Sequence, residues 1–114
     1  DLQAAAKAKG MPWDTAKAFD HSAPLSTICA AAEIGHPQHA ALTLEVNGKV
    51  RQQSDIAQMI FSVPEILARL SRLFELKAGD LVFTGTPAGV GPLVRGDAFL
   101  ARLAGIAELR SRIR

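Results

Sequence analysis

The dipeptide Asn47-Gly48 constrains this chain more than any other pair of residues. Before it, Leu42-Thr43-Leu44-Glu45-Val46 alternates apolar and polar side chains; after it, Lys49-Val50-Arg51-Gln52-Gln53 runs back. Two adjacent residues that tolerate positive φ reverse the chain with the twist that antiparallel strands require, so the pattern predicts a two-residue hairpin. A second hairpin is predicted over residues 99–114, pivoting near Ala104-Gly105. In its last arm Ala107, Leu109, Ser111 and Ile113 alternate with Glu108, Arg110, Arg112 and Arg114, giving one buried and one charged face. The arginines fit a solvated edge strand better than a nucleic-acid stripe, because cationic side chains on an edge discourage sheet-to-sheet aggregation.

Helical signals are fewer. Residues 1–9 are alanine-rich, with Lys7 and Lys9 in the last turn, Gly10 as a stop and Pro12 beyond. Ser62-Val63-Pro64-Glu65 is a capping box with proline in the first turn, followed by an apolar stripe of Val63, Ile66, Leu67, Leu70 and Phe74 with Arg69 and Arg72 outside it. Residues 25–32 read as a strand ending before Gly35-His36-Pro37, and residues 81–84 as a strand entered through the turn Lys77-Ala78-Gly79-Asp80. Arg95-Gly96-Asp97 is a further turn. At 114 residues the chain fits one domain, expected to bury about two thirds of its unfolded surface.

Two stretches are candidates for chemistry. LVFTGTPAGVGP, residues 81–92, would carry a strand into a loop with glycines at 85, 89 and 91, presenting backbone N–H groups and the hydroxyls of Thr84 and Thr86. The spacing meets neither the Walker pattern nor the dinucleotide fingerprint, so the loop is read as a cradle for a carboxylate or enolate oxygen. The alternative is a purely structural turn. The second stretch, residues 11–24, is irregular, framed by Pro12 and Pro24, and holds Lys17, Asp20 and His21. Lys17 and Asp20 read either as a surface pair or as a lysine placed to neutralise a developing oxyanion. His36 and His39 lie three apart, but Pro37 argues against the helix that a shared metal would need.

The remaining bulk properties mainly exclude. Thirteen basic against eleven acidic residues, a net charge of +2, no tyrosine and one tryptophan give little basis for a nucleic-acid partner. No apolar run approaches membrane-spanning length, so no membrane partner is expected. The single cysteine, Cys29, lies in an apolar run and reads as a small buried hydrophobe in a reducing, cytoplasmic setting. The first residue is not methionine, and the sequence is expected to be the downstream part of a longer one. Residue types and spacing alone reach a mixed helix-and-strand (α+β) domain with a small-anion loop.

Several motifs together carry further information. Asp1-Leu2-Gln3, Trp13-Asp14-Thr15-Ala16-Lys17-Ala18-Phe19-Asp20, the hairpin from Val46-Asn47-Gly48 onward, Met59-Ile60-Phe61-Ser62-Val63-Pro64-Glu65, and Thr84-Gly85-Thr86-Pro87-Ala88-Gly89-Val90-Gly91 resemble the C-terminal part of the fumarylacetoacetate hydrolase family. The wording around His21-Ser22-Ala23-Pro24 and Glu33-Ile34-Gly35-His36-Pro37 is most similar to its fumarylpyruvate hydrolase branch. The resemblance implies a mixed, mainly-β roll with a short N-terminal helix and one capped helix near residues 63–75. It implies a homodimer and a magnesium- or manganese-dependent hydrolase that cleaves a carbon–carbon bond in 2,4-dioxo acids such as fumarylpyruvate, in a gentisate-type route of aromatic catabolism. Acylpyruvase, oxaloacetate decarboxylase and hydroxymuconate isomerase activities are alternatives within the family; a non-catalytic fragment that associates with a complete subunit is the alternative outside it.

By the same resemblance, Lys17 matches the family's catalytic lysine beside the metal, Gln3 a substrate-contacting glutamine, and Thr86 with Gly85 the substrate-binding part of the glycine loop. Asp20 and His21 are further candidates. Ala16 and His21 depart from the pattern, where the family often has glycine and threonine. The family's metal ligands precede Asp1, so no metal ligand is expected within this chain, which alone would be inactive.

Overall fold

The computed structural model describes residues 2–114; Asp1, which begins the predicted N-terminal helix and the Asp-Leu-Gln motif, lies outside the described residues. The predicted hairpin forms between β1 (Ala41–Val46) and β2 (Lys49–Asp55). Asn47 and Gly48 take φ of 51° and 75°, the two positive values that a tight hairpin turn of this kind needs. The closing hairpin also forms, from β3 (Ala98–Leu103) and β4 (Ala107–Arg112). The strands pair antiparallel in the order β2-β1-β3-β4, so β1 and β3 are central and the arginine-bearing β4 is an edge.

A polar clip joins the two hairpins. The Asn47 side-chain amide donates to Asp97 at 2.8 Å while its carbonyl accepts from the Ala98 N–H at 3.0 Å. The Val94 N–H, followed by Asn47, holds the Asp97 carboxyl below its ordinary pKa. Across the other end, Arg102 donates to Glu45 at 2.9 Å and to Glu108 at 2.7 Å, tying β1, β3 and β4 through one guanidinium.

The helix α1 spans Leu2–Lys9 and ends as predicted, with the Gly10 and Met11 N–H groups returning to the carbonyls of Lys7 and Ala6. Two short helices follow, α2 (Asp14–Lys17) and α3 (Ala31–Ile34). A 3-10 turn over Ile56–Gln58 leaves β2, with its first free N–H taken by the Asp55 carboxylate. The capped helix is α4 (Val63–Leu70), continued by turns to Phe74. Its start is tied by Glu65, whose carboxylate accepts from both the Ser62 N–H and the Ser62 hydroxyl; the hydroxyl first, then the N–H, lower the Glu65 pKa.

Two expected strands are absent. Residues 25–30 have no regular structure and lead into α3, and residues 81–84 join no ladder. β-branched and aromatic composition describes side chains that suit a pleated surface, but a strand exists only when a partner supplies its hydrogen bonds. Cys29 is half-buried and its thiol reaches the Ile106 carbonyl at 3.4 Å.

Burial is lower than the length suggests. The accessible surface is 9218 Å², whereas a compact monomer of this mass exposes about 6,000 Å², so folding buries about half rather than two thirds of the unfolded surface. Among the described residues Val46, 4% exposed, is the only buried apolar side chain. Of the α4 stripe, Ile66 and Leu70 are half-covered, while Val63, Leu67 and Phe74 face outward.

Candidate substrate site

The glycine loop leans on β2 at a place where the ladder is irregular. Leu44 pairs with Gln52 and Glu45 with Val50, leaving Arg51 as the extra residue of a β-bulge. At that bulge Gly89, with φ of 101°, comes so close that a side-chain carbon there would overlap the Arg51 carbonyl oxygen. Only glycine fits, for space and for backbone angle. Gln52 completes the docking: its amide nitrogen donates to the Pro87 carbonyl at 2.8 Å and to the Thr86 hydroxyl at 2.9 Å.

Behind the docked loop lies a cavity of about 450 Å³. Thr84, Gly85, Thr86 and Pro87 form one side, Leu42, Ser54, Asp55 and Ile56 come from the sheet and the turn after it, and Met59, Phe61 and Ile66 close the apolar remainder. An apolar cavity with a few convergent hydroxyls suits a small ligand whose polar end is an oxygen anion. Gly85 and Thr86, two of the residues singled out in the sequence, both line this cavity. Gln52 and Asp55 were not foreseen; a glutamine next to Gln53 in a strand carries no signal of its own, and Asp55 stands only as a polar strand end.

The other predicted residues lie elsewhere. Gln3, Lys17, Asp20 and His21 do not line this cavity. Gln3 is on α1, half-buried, and Lys17 ends α2, which packs against α1. The indole of Trp13 joins the two helices: the Lys7 and Lys17 ammonium nitrogens lie 5.1 Å and 5.5 Å from its ring centroid. Lys17 is therefore held by an aromatic face rather than by Asp20, the surface partner that its spacing suggested. Asp20 and His21 are exposed in a turn closed by Ser22, whose hydroxyl accepts from the Phe19 N–H at 3.3 Å, and His21 itself has φ of 62°.

A divalent metal does not fit what is present. Among the described residues no group of three or more His, Cys, Asp or Glu side chains could hold a metal ion, and a hard cation needs such oxygen ligands. His39 instead stands 3.8 Å from the Asp55 carboxylate.

The chain has relatives among known proteins. The family model described as fumarylacetoacetate (FAA) hydrolase C-terminal matches residues 1–114. The chain is 53% identical over 98 residues to the oxaloacetate tautomerase YcgM of Escherichia coli (strain K12), covering 85% of this chain and 45% of that protein. It is 44% identical over 109 residues to a fumarylpyruvate hydrolase of a Ralstonia species, covering 96% of this chain and 56% of that one. Among solved structures, the fumarylpyruvate hydrolase from Pseudomonas aeruginosa in complex with Mn2+ and pyruvate superposes with a TM-score of 0.92 at 51% identity, over 99% of this chain and 48% of that one. The chain thus spans about half the length of the relatives it matches.

Proposed function

The chain belongs to the fumarylacetoacetate hydrolase family, and from that premise we propose that it forms the glycine-loop wall of a site that cleaves a carbon–carbon bond in 2,4-dioxo acids such as fumarylpyruvate. The observation that carries this reading is the placement of Gly85 and Thr86 in one cavity, in a fold that superposes on a fumarylpyruvate hydrolase bound to pyruvate. Hydrolysis adds water across the C3–C4 bond of the dioxo acid: the C4 carbonyl carbon takes the hydroxyl, and the bonding pair leaves on C3. That pair is stable only as the enolate of the 2-oxo acid, with the negative charge on the C2 oxygen, until C3 takes up a proton. Donors aimed at that oxygen lower the barrier. Thr86, which lines the cavity, is assigned as such a donor; Lys17, as the cation that offsets the developing charge, and Gln3, as a second polar contact, are assigned by the family resemblance from outside that cavity, with Asp20 and His21 at the margin of the Lys17 turn.

A magnesium or manganese ion belongs to this reading as family chemistry and would polarise the 2-oxo carboxylate of a bound substrate; none of the described residues is assigned as its ligand. The homodimer and the cytoplasmic location are retained on the same footing. The exposure of Ile60 at 93%, Ile28 at 78% and Leu73 at 76% supports a surface that further protein covers in the whole molecule.

A second reading is favoured by the 53% identity to an oxaloacetate tautomerase. Keto–enol exchange of oxaloacetate passes through the same kind of enolate without breaking a carbon–carbon bond. The full-length protein, supplied with Mn2+, separates the two: release of pyruvate from fumarylpyruvate supports the hydrolase, whereas enol-oxaloacetate ketonisation with no pyruvate released sinks it in favour of the tautomerase.

A further inference from the structure

Gln52 does more than support the loop. Its amide nitrogen has two hydrogens. The Pro87 carbonyl at 2.8 Å can only accept, and so can the Ala88 carbonyl at 3.5 Å, which fixes the orientation of the amide with its nitrogen toward the loop. One hydrogen is used there. The other goes to the Thr86 hydroxyl oxygen at 2.9 Å. A hydroxyl that accepts in this way still has one proton to give, and its direction is no longer arbitrary. Thr86 lines the cavity, so a ligand oxygen there is the acceptor for which the arrangement provides.

The bulge makes this geometry available. Arg51 interrupts the pairing of β1 with β2, resets the alternation of side chains along β2, and brings its own carbonyl against Gly89. Gln52 is next in line, half-buried, with its Cγ 3.1 Å from where a Gly89 side-chain carbon would stand. Backbone and side chain therefore seat the loop at two adjacent residues of the same strand.

We propose that Gln52 is a positioning residue that sets Thr86 as a hydrogen-bond donor into the cavity, so that the site selects a ligand oxygen that only accepts: the enolate or carboxylate oxygen of a 2-oxo acid. The proposal rests on the reading of Thr86 as a substrate contact. Replacing the Gln52 amide by a carboxylate inverts the polarity: the Thr86 proton turns toward the new acceptor, and the ligand loses its donor.

The test is a double-mutant cycle in the full-length protein, with kcat and KM measured on fumarylpyruvate and on enol-oxaloacetate for Gln52→Glu, Thr86→Val and the combination. Gln52→Glu is expected to lower kcat by about a hundredfold with a smaller change in KM, the scale of one lost oxyanion donor, and to cost less than about threefold once Thr86 is valine. Equal losses in both backgrounds would overturn the proposal and reduce Gln52 to a scaffold residue. A Thr86→Val protein with undiminished turnover would overturn the substrate-contact reading itself and the proposal with it, an outcome distinct from equal losses. Should Gln52→Glu fail to fold, Gln52→Met, close in shape, replaces it in the cycle: it removes the donor to Thr86 without adding a strong acceptor, so a smaller loss of about three- to tenfold is expected that again disappears once Thr86 is valine, with the same overturning result.

Discussion

The glycine loop and the Trp13–Lys17 turn hold their polar groups by different means. The loop is seated against a strand, where Gly89 meets the Arg51 carbonyl without room for a side chain and one glutamine grips two consecutive residues. The turn is held by two lysines over one exposed indole. Contacts of the first kind leave the loop one position, because a backbone collision cannot be relieved by turning a side chain. Contacts of the second kind are worth about 0.5–1 kcal/mol each when solvated and leave several lysine rotamers close in energy. The loop therefore carries its geometry within this chain, whereas Lys17 is held against an exposed ring face alone.

The sharpest way to break that contrast is Gly89→Ala. The new methyl must displace the Arg51 backbone or the loop, and a left-handed alanine is strained besides, so a loss of at least about 2 kcal/mol in stability is expected. Chemical denaturation of wild type and variant measures it, and an unchanged midpoint would show that the loop is not docked as described. Lys17→Ala is the converse case: in the full-length protein turnover should fall by more than about tenfold while the melting temperature hardly moves. Unchanged kinetics would remove Lys17 from the site.

Smaller effects sharpen the comparison. Trp13→Leu keeps an apolar contact between α1 and α2 but removes the ring face, and a loss of about two- to fivefold in turnover is expected, the equivalent of one solvated cation–π contact. A loss as large as that of Lys17→Ala would mean that the indole itself touches substrate. The least effect concerns acid. Ser62 lowers the pKa of Glu65, the Val94 N–H and Asn47 that of Asp97, and Arg102 and Arg110 that of Glu108. A depressed carboxyl stabilises the fold above its unfolded pKa and loses that contribution as pH falls through the folded value. Stability should thus decline gently below the ordinary carboxylate range, and Glu65→Gln should flatten the decline; a melting temperature that rises on acidification would contradict the assignment. None of these three carboxylates touches the loop or the Lys17 turn, so the decline should leave the contrast between them intact.

Sequence legibility followed the range of the interaction. The Asn47-Gly48 turn, the Ser62–Glu65 start of α4 and the Gly10 stop of α1 are each decided by residues within one turn of one another, and all three form where their residues predict. The arginine-faced arm became the sheet edge for the same reason, since alternation is a local pattern. Gly85 and Thr86 stand out in the sequence because glycine and threonine at such spacing suit a loop that presents oxygens and amides, and both line the cavity. The strands expected at residues 25–32 and 81–84 failed because a ladder needs a distant partner that no local pattern names.

Between Gln52 and Gln53 the amino-acid sequence makes no choice, as both are polar residues in the same strand. The bulge at Arg51 makes it: an extra residue in one strand shifts the alternation, turns Gln52 to the glycine loop, and presents the backbone oxygen that only Gly89 can approach. Local chemistry thus determined which segments bend, cap and reverse. The tertiary pairing of β1 with β2 decided which side chain faces the site, because register is a property of two strands and is written in neither alone.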